Sequence, residues 1–148
     1  MIQPPEGFRP SYRQARVAFL EAAAIAGLPS FSYPLDLKGA EGEDLAMDVV
    51  IEGDPKAPKM LVISSGCHGV EGFCGSGVQV FALHDTEWRT KARDAGVTVA
   101  YVHALNPHGF SHRRRVTQEN VDLNRNFMDF SNLPAPSQAY AEVEDLLL

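Results

Sequence analysis

His68 and Glu71 stand three residues apart, just after an apolar run, Leu61-Val62-Ile63, that ends in Ser64-Ser65-Gly66. On a turn, that spacing lets an imidazole and a carboxylate reach one point. Zn²⁺ accepts neutral imidazole nitrogen and carboxylate oxygen, and a catalytic zinc takes three protein ligands and a water. An H-x-x-E pair is a weak signal by itself, and a His and a Glu on an exposed turn is its plain structural reading. Gly69, Gly72, Gly75 and Gly77 crowd the same stretch. A buried strand opening into a tight turn and then a helix accounts for residues 61–77. In open α/β sheets ligands bind at the carboxyl ends of strands, so the pair falls where such a fold does its chemistry.

The elements that must position the pair can be read outward from it. Residues 59–65 form a strand whose continuous apolar centre implies burial on both faces, as in a mostly parallel sheet. Residues 77–84 look helical, 86–95 extend that region, and Gly96 ends it. Residues 97–105 are rich in β-branched side chains and read as a strand. Strand, helix, strand implies a right-handed parallel crossover. The turn Asn106-Pro107-His108-Gly109 at the end of that strand then lies beside His68 in space. Upstream, residues 1–10 form an irregular arm, and Ser11 caps a helix over 12–26 that Gly27 stops. Residues 31–38 and 45–52 read as strands, the second alternating with a period of two. Downstream, 110–127 is a polar loop dense in Arg and Asn, and 137–148 a final helix. The expected fold is α/β, a mixed, mostly parallel sheet with helices on both faces, in a single domain over residues 1–148.

Composition narrows the function. The chain has 148 residues, 45% hydrophobic and 22% charged, as in an ordinary globular domain. A formal charge of −6 argues against a nucleic-acid or anionic-membrane surface, so neither partner is expected. The cluster Arg113-Arg114-Arg115 stands out against that background. No charged segment followed by an apolar one opens the chain, and no apolar run is long enough to span a bilayer. Cys67 and Cys74 do not make a disulfide framework. A reduced, cytoplasmic setting is therefore expected. His84, His103 and His112 have no partner motif and are expected to be structural or exposed.

The pair at 68 and 71 does not stand alone. Asn106-Pro107-x-Gly109, the arginine cluster, and Asn120-Val121-Asp122-Leu123-Asn124-Arg125-Asn126-Phe127 follow it in order. From about Leu61 to Phe127 this resembles the zinc carboxypeptidase family, nearest to a bacterial zinc-carboxypeptidase-like branch, and less closely the aspartoacylase-like deacylases. The resemblance implies a carboxypeptidase-like fold and a Zn²⁺ cofactor, with His68 and Glu71 as two of its three protein ligands. It implies that Asn124 and Arg125 hold the free carboxylate of a substrate's C-terminal residue, since a guanidinium pairs bidentately with a carboxylate. Another Arg would stabilise the oxyanion at the scissile carbonyl. Arg115 is the candidate and Arg114 the alternative. The plain reading of the cluster is a solvated loop or ion pairs to Asp122 and Glu119. Asp122 would orient a site residue or the loop, or be a simple surface carboxylate.

The resemblance also exposes a gap. That family takes its third zinc ligand, a histidine, and its general base, a glutamate, from late in the chain. Nothing after Phe127 fits either. The chain therefore reads as the N-terminal part of a longer, truncated enzyme. Three readings follow: a metallocarboxypeptidase-like hydrolase acting on a C-terminal peptide bond, a deacylase of N-acyl amino acids, or a non-catalytic remnant or carboxylate-binding module. A truncated sheet should leave an open edge and an exposed apolar face, and hence self-association.

Overall fold

The computed structural model describes residues 4–133, 135 and 137–147. After a short 3₁₀ turn at Pro4–Gly7, helix α1 covers Tyr12–Ile25. Strands β1 (Ser30–Lys38), β2 (Asp44–Glu52) and β3 (Lys59–Ser64) follow, then helices α2 (Gly69–His84) and α3 (Thr86–Asp94). Strand β4 (Val97–His103) and helix α4 (Pro107–His112) complete the body, and two single turns, α5 (Gln138–Ala141) and α6 (Glu144–Leu147), end it.

Helix α1 forms where its start and stop signals agree. The Ser11 side chain accepts from the Gln14 backbone amide, satisfying one donor of the open first turn. Gly27 adopts φ +71, and the Leu28 amide reaches back to the Ala23 carbonyl, closing the other end. Of the apolar stripe expected at helical spacing, Ala15, Ala18, Phe19 and Ala22 are buried against the sheet, whereas Ala26 is half-buried and Ile25 in the last turn is exposed.

The sheet order is β1-β2-β4-β3. β1 and β2 pair antiparallel, β2 and β4 antiparallel, and β3 and β4 parallel. The α/β class and the mixed sheet are as expected, but the parallel share is smaller. β1 and β2 are joined by a turn of only a few residues, which forces an antiparallel pair. Only the crossover through α2 and α3 returns the chain parallel.

One core packs between α1, α2 and the sheet face that carries Val50, Val99 and Tyr101. A second cluster, Tyr12, Ala15, Leu45, Ala104 and Phe110, joins α1 and α4 near the strand ends. Helices α1 to α4 thus sit on one face, not on both. The other face carries Phe31, Tyr33, Met60 and Val62, each more than half exposed. β3 was expected to be buried on both faces. It is an edge strand among the described residues, and its apolar run faces solvent on one side.

Other boundaries shift for local reasons. α2 begins at Gly69 rather than near Gly77, through the glycines. Asn106-Pro107-His108-Gly109 does not form a free turn but opens α4: Asn106 caps it by accepting from the Gly109 amide at 2.8 Å, with Pro107 in the first turn. The expected final helix is two separate turns, and its last residue lies outside the described ones, as does the start of the N-terminal arm. Among the described residues no helix is long and apolar enough to cross a membrane.

Candidate functional site

The site is built where β3 and β4 end side by side. Beyond the strands the two chains stay paired: Ser65 donates to Val102 O at 3.0 Å, Leu105 to Ser65 O at 2.9 Å and Asn106 to Gly66 O at 2.9 Å. Gly66 turns the chain with φ +66, a conformation that a side chain would strain. His68 then occupies the N-cap position of α2 in extended backbone and makes no side-chain capping bond, which leaves its ring free to turn elsewhere.

Gly69 allows the next approach. A Cβ there would lie 1.9 Å from Gly109 O and 2.6 Å from Arg114 O, closer than atoms can come. Its absence lets the Gly69 amide donate to Arg114 O at 2.9 Å. The arginine-bearing loop is thereby sewn onto the first turn of α2. The N-P-x-G stretch and the H-x-x-E stretch meet in space, as their order predicts.

Asp122 is the hub. Its Oδ1 lies 3.0 Å from His68 Nε2 and accepts the Asn124 amide at 3.0 Å, which starts a 3₁₀ turn at Leu123–Arg125. Its Oδ2 accepts Arg115 Nε at 2.8 Å. The hydrogen bond to His68, and then that from Arg115, hold its carboxyl down at about 2, so it is ionised at neutral pH. An ionised carboxylate can only accept, so in this contact His68 Nε2 carries a proton. In the neutral imidazole Nδ1 then presents its lone pair, and it lies 3.6 Å from Glu71 Oε1. Two acceptors at that separation can share a metal ion. Burial raises the Cys67 thiol, and the Asp122 charge adds to the rise, so the neighbouring sulfur stays protonated.

The exposures grade the site. The His68 and Asp122 side chains are 13% and 17% exposed, whereas Glu71 is 68% exposed and Arg115 half exposed. A protected imidazole with its far nitrogen held by a carboxylate is the arrangement that metal-binding histidines adopt. His68 and Glu71 thus fit two positions of a zinc site. Among the described residues, no group of three His, Cys, Asp or Glu side chains could hold a metal ion.

The remaining expected residues separate. Arg115 pairs with Asp122, the plain alternative for that residue. Arg114 instead donates to Asn120 Oδ1 at 2.5 Å. Asn124 and Arg125 are exposed, and among the described residues Arg125 Nη1 reaches only the Asn124 carbonyl, at 3.3 Å. His108 is partly buried, its ring 4.4 Å from that of His112 and its Nδ1 without a partner among the described residues.

Two features escaped sequence reading. Ser76 Oγ on α2 lies 2.9 Å from His103 Nε2 at the end of β4, both fully buried, locking the two elements that carry the site. Arg113 lies over the Phe73 ring, 5.8 Å from its centroid. An isolated Ser or His carries no local pattern that reveals such pairings.

A family model described as "Protein of unknown function (DUF2817)" matches residues 8–148, and the chain belongs to that family. No curated protein matches the sequence. Among solved structures the chain is similar to glutaminyl cyclase from Porphyromonas gingivalis, at 16% identity and a TM-score of 0.43, over 66% of this chain and 38% of that one. A Zn-dependent exopeptidase from Parabacteroides distasonis matches at 11% identity and a TM-score of 0.43, over 66% and 39%. Tannerella forsythia glutaminyl cyclase matches at 11% identity and a TM-score of 0.42, over 83% and 50%. The chain spans about two fifths of the length of the first two. At these identities and scores the likeness says nothing of activity.

Proposed function

We propose that this chain supplies half of the active site of a zinc-dependent amide hydrolase of the carboxypeptidase type. The observation that supports the reading is the relay Arg115–Asp122–His68, with the free His68 nitrogen facing Glu71. In that relay Asp122 fixes the imidazole tautomer and Arg115 fixes Asp122. His68 and Glu71 would hold Zn²⁺, which when bound polarises a carbonyl and activates water. Arg115 keeps its outer nitrogens free of protein partners among the described residues, on the solvent side of the hub, where they can face a developing oxyanion. Arg125, exposed and without a carboxylate partner among the described residues, is the group to anchor a substrate's terminal carboxylate, with Asn124 beside it. A C-terminal peptide bond and the amide of an N-acyl amino acid both fit that anchor.

A second reading has one observation in its favour. The described residues offer two ligands rather than three, so the chain alone would hold zinc weakly and act as a carboxylate-binding module. Zinc content per chain after dialysis against a mild chelator separates the two, together with turnover of a blocked dipeptide and of an N-acetyl amino acid. Near-stoichiometric zinc that is lost in Glu71→Gln, with turnover of either substrate, supports the hydrolase. Zinc-free, inactive protein supports the carboxylate-binding module.

A further inference from the structure

Beside the first turns of α2, a shallow groove of about 320 Å³ is lined by Arg9, Pro10, Val70, Phe73 and Arg113. Its floor is apolar, with Val70 more than half exposed and the Phe73 ring braced edge-on by Phe110 at 4.8 Å. Arg9 and Arg113 line its sides, and the Arg113 guanidinium lies over the Phe73 ring, 5.8 Å from its centroid. Among the described residues, Arg113 donates only to the Pro10 carbonyl, at 3.3 Å, and Arg9 only to the Glu6 and Phe8 carbonyls. Neither has a carboxylate partner there, and no acidic side chain lines the groove. The chain as a whole carries a formal charge of −6, so this pair of arginines stands against the general balance. Arg113 is held toward this side by a left-handed backbone at φ +54, at the cap of α4. The arginine run therefore divides its contacts: Arg115 serves Asp122, and Arg113 roofs Phe73.

We propose that this groove binds a carboxylate carried on an apolar body, the carboxylate between Arg9 and Arg113 and the body on Phe73 and Val70. Fork-like guanidinium donors match a carboxylate in geometry as well as charge, and the aromatic floor excludes fully hydrated anions. Val70 lies between His68 and Glu71 in sequence, so the groove adjoins the candidate metal pair. Its role as a subsite for the acyl part of a substrate rests on the hydrolase reading. The binding itself does not.

The test uses the whole chain and two probes, 3-phenylpropanoate and the neutral 3-phenylpropanamide, titrated by NMR or calorimetry with zinc and again with a chelator. The carboxylate should saturate about tenfold more tightly than the amide, the worth of one charge-assisted pair. Arg113→Gln and Arg9→Gln should each erase most of that difference, and Arg113→Lys should restore part of it. Melting curves confirm that each variant is folded. Equal affinity for the two probes, no saturation, or a preference that only Arg125→Gln removes would overturn the proposal. Preference that persists under chelator keeps the groove standing even where zinc analysis counts against the hydrolase.

Discussion

His103 makes the acid stability of this fold predictable. Its ring is fully buried, stacked on Phe19 at 4.7 Å, and bonded through Nε2 to Ser76. Burial drives its pKa down from 6.5 to about 4, opposed by the Asp48 charge and reinforced by Arg16. The sign follows from linkage. The unfolded chain takes up a proton near pH 6.5 and the folded chain only near 4, so stability falls as pH drops through that interval. At one pKa unit per 1.36 kcal/mol, the loss is about 2 kcal/mol at pH 5 and about 3 kcal/mol at pH 4. Against a total stability on the order of 5–15 kcal/mol, that is a large share.

Urea unfolding followed through Trp88 fluorescence provides the assay, since this single tryptophan packs on the core and donates to Tyr101 OH at 3.1 Å. His103→Gln keeps a hydrogen-bonding group near Ser76 and removes the titration. Wild type should lose the stated stability between pH 7 and 4, and the variant less by nearly that amount. The ion-paired carboxylates do not mask the effect. Asp122 is held at about 2, so its contribution is present above its ordinary value near 4 and lost only as pH falls from there toward 2. Parallel profiles for wild type and variant between pH 6.5 and 4 would refute the reasoning.

Other consequences are simpler to state. Asp122→Asn removes the charge that fixes the His68 tautomer and sets an amide donor against Arg115. Zinc affinity should fall on the order of 10–100-fold by titration with a competing dye. Tyr12→Phe strips a buried hydroxyl that donates to Ala46 O at 2.9 Å and accepts the Ala46 amide at 2.8 Å. Two buried backbone groups lose their partner, and chemical denaturation should show a loss of roughly 2–4 kcal/mol. The bare sheet face with Phe31, Tyr33, Met60 and Val62 should drive self-association. Sedimentation velocity across a range of concentrations would show it, and a concentration-independent monomer would count against it.

The contrast between α1 and α2 shows what one sequence reveals. In α1 every local rule agrees: a serine cap, an apolar stripe of helical period and a stopping glycine. It was legible to within a residue. α2 opens with glycines, which carry a helix penalty of about 1 kcal/mol each and mimic a loop. Their reason is tertiary. A Cβ on Gly69 would strike the backbone of the α4 loop, and one on Gly72 would press on the Phe110 ring at 3.0 Å. Propensity yields to packing there, and only coordinates show the partner. β3 misled in the opposite sense. Its continuous apolar run implied burial on both faces, yet one neighbour and one covered face are all that the described residues supply.

The candidate site divides along the same line. His68, Glu71 and Asp122 come together because backbone geometry brings them there: two adjacent strand ends, a glycine contact and a short 3₁₀ turn. Motif order could foretell that convergence. The partner each side chain takes could not be foretold, because an arginine in a run of three has several acids within reach. The structure sends Arg115 to Asp122, Arg114 to Asn120 and Arg113 to Phe73. One short loop thus distributes three equal charges among a carboxylate, an amide and an aromatic ring. Two of these destinations satisfy the loop itself. The third leaves a cation without a carboxylate partner among the described residues, and this separates a residue that holds the loop from one able to receive a ligand.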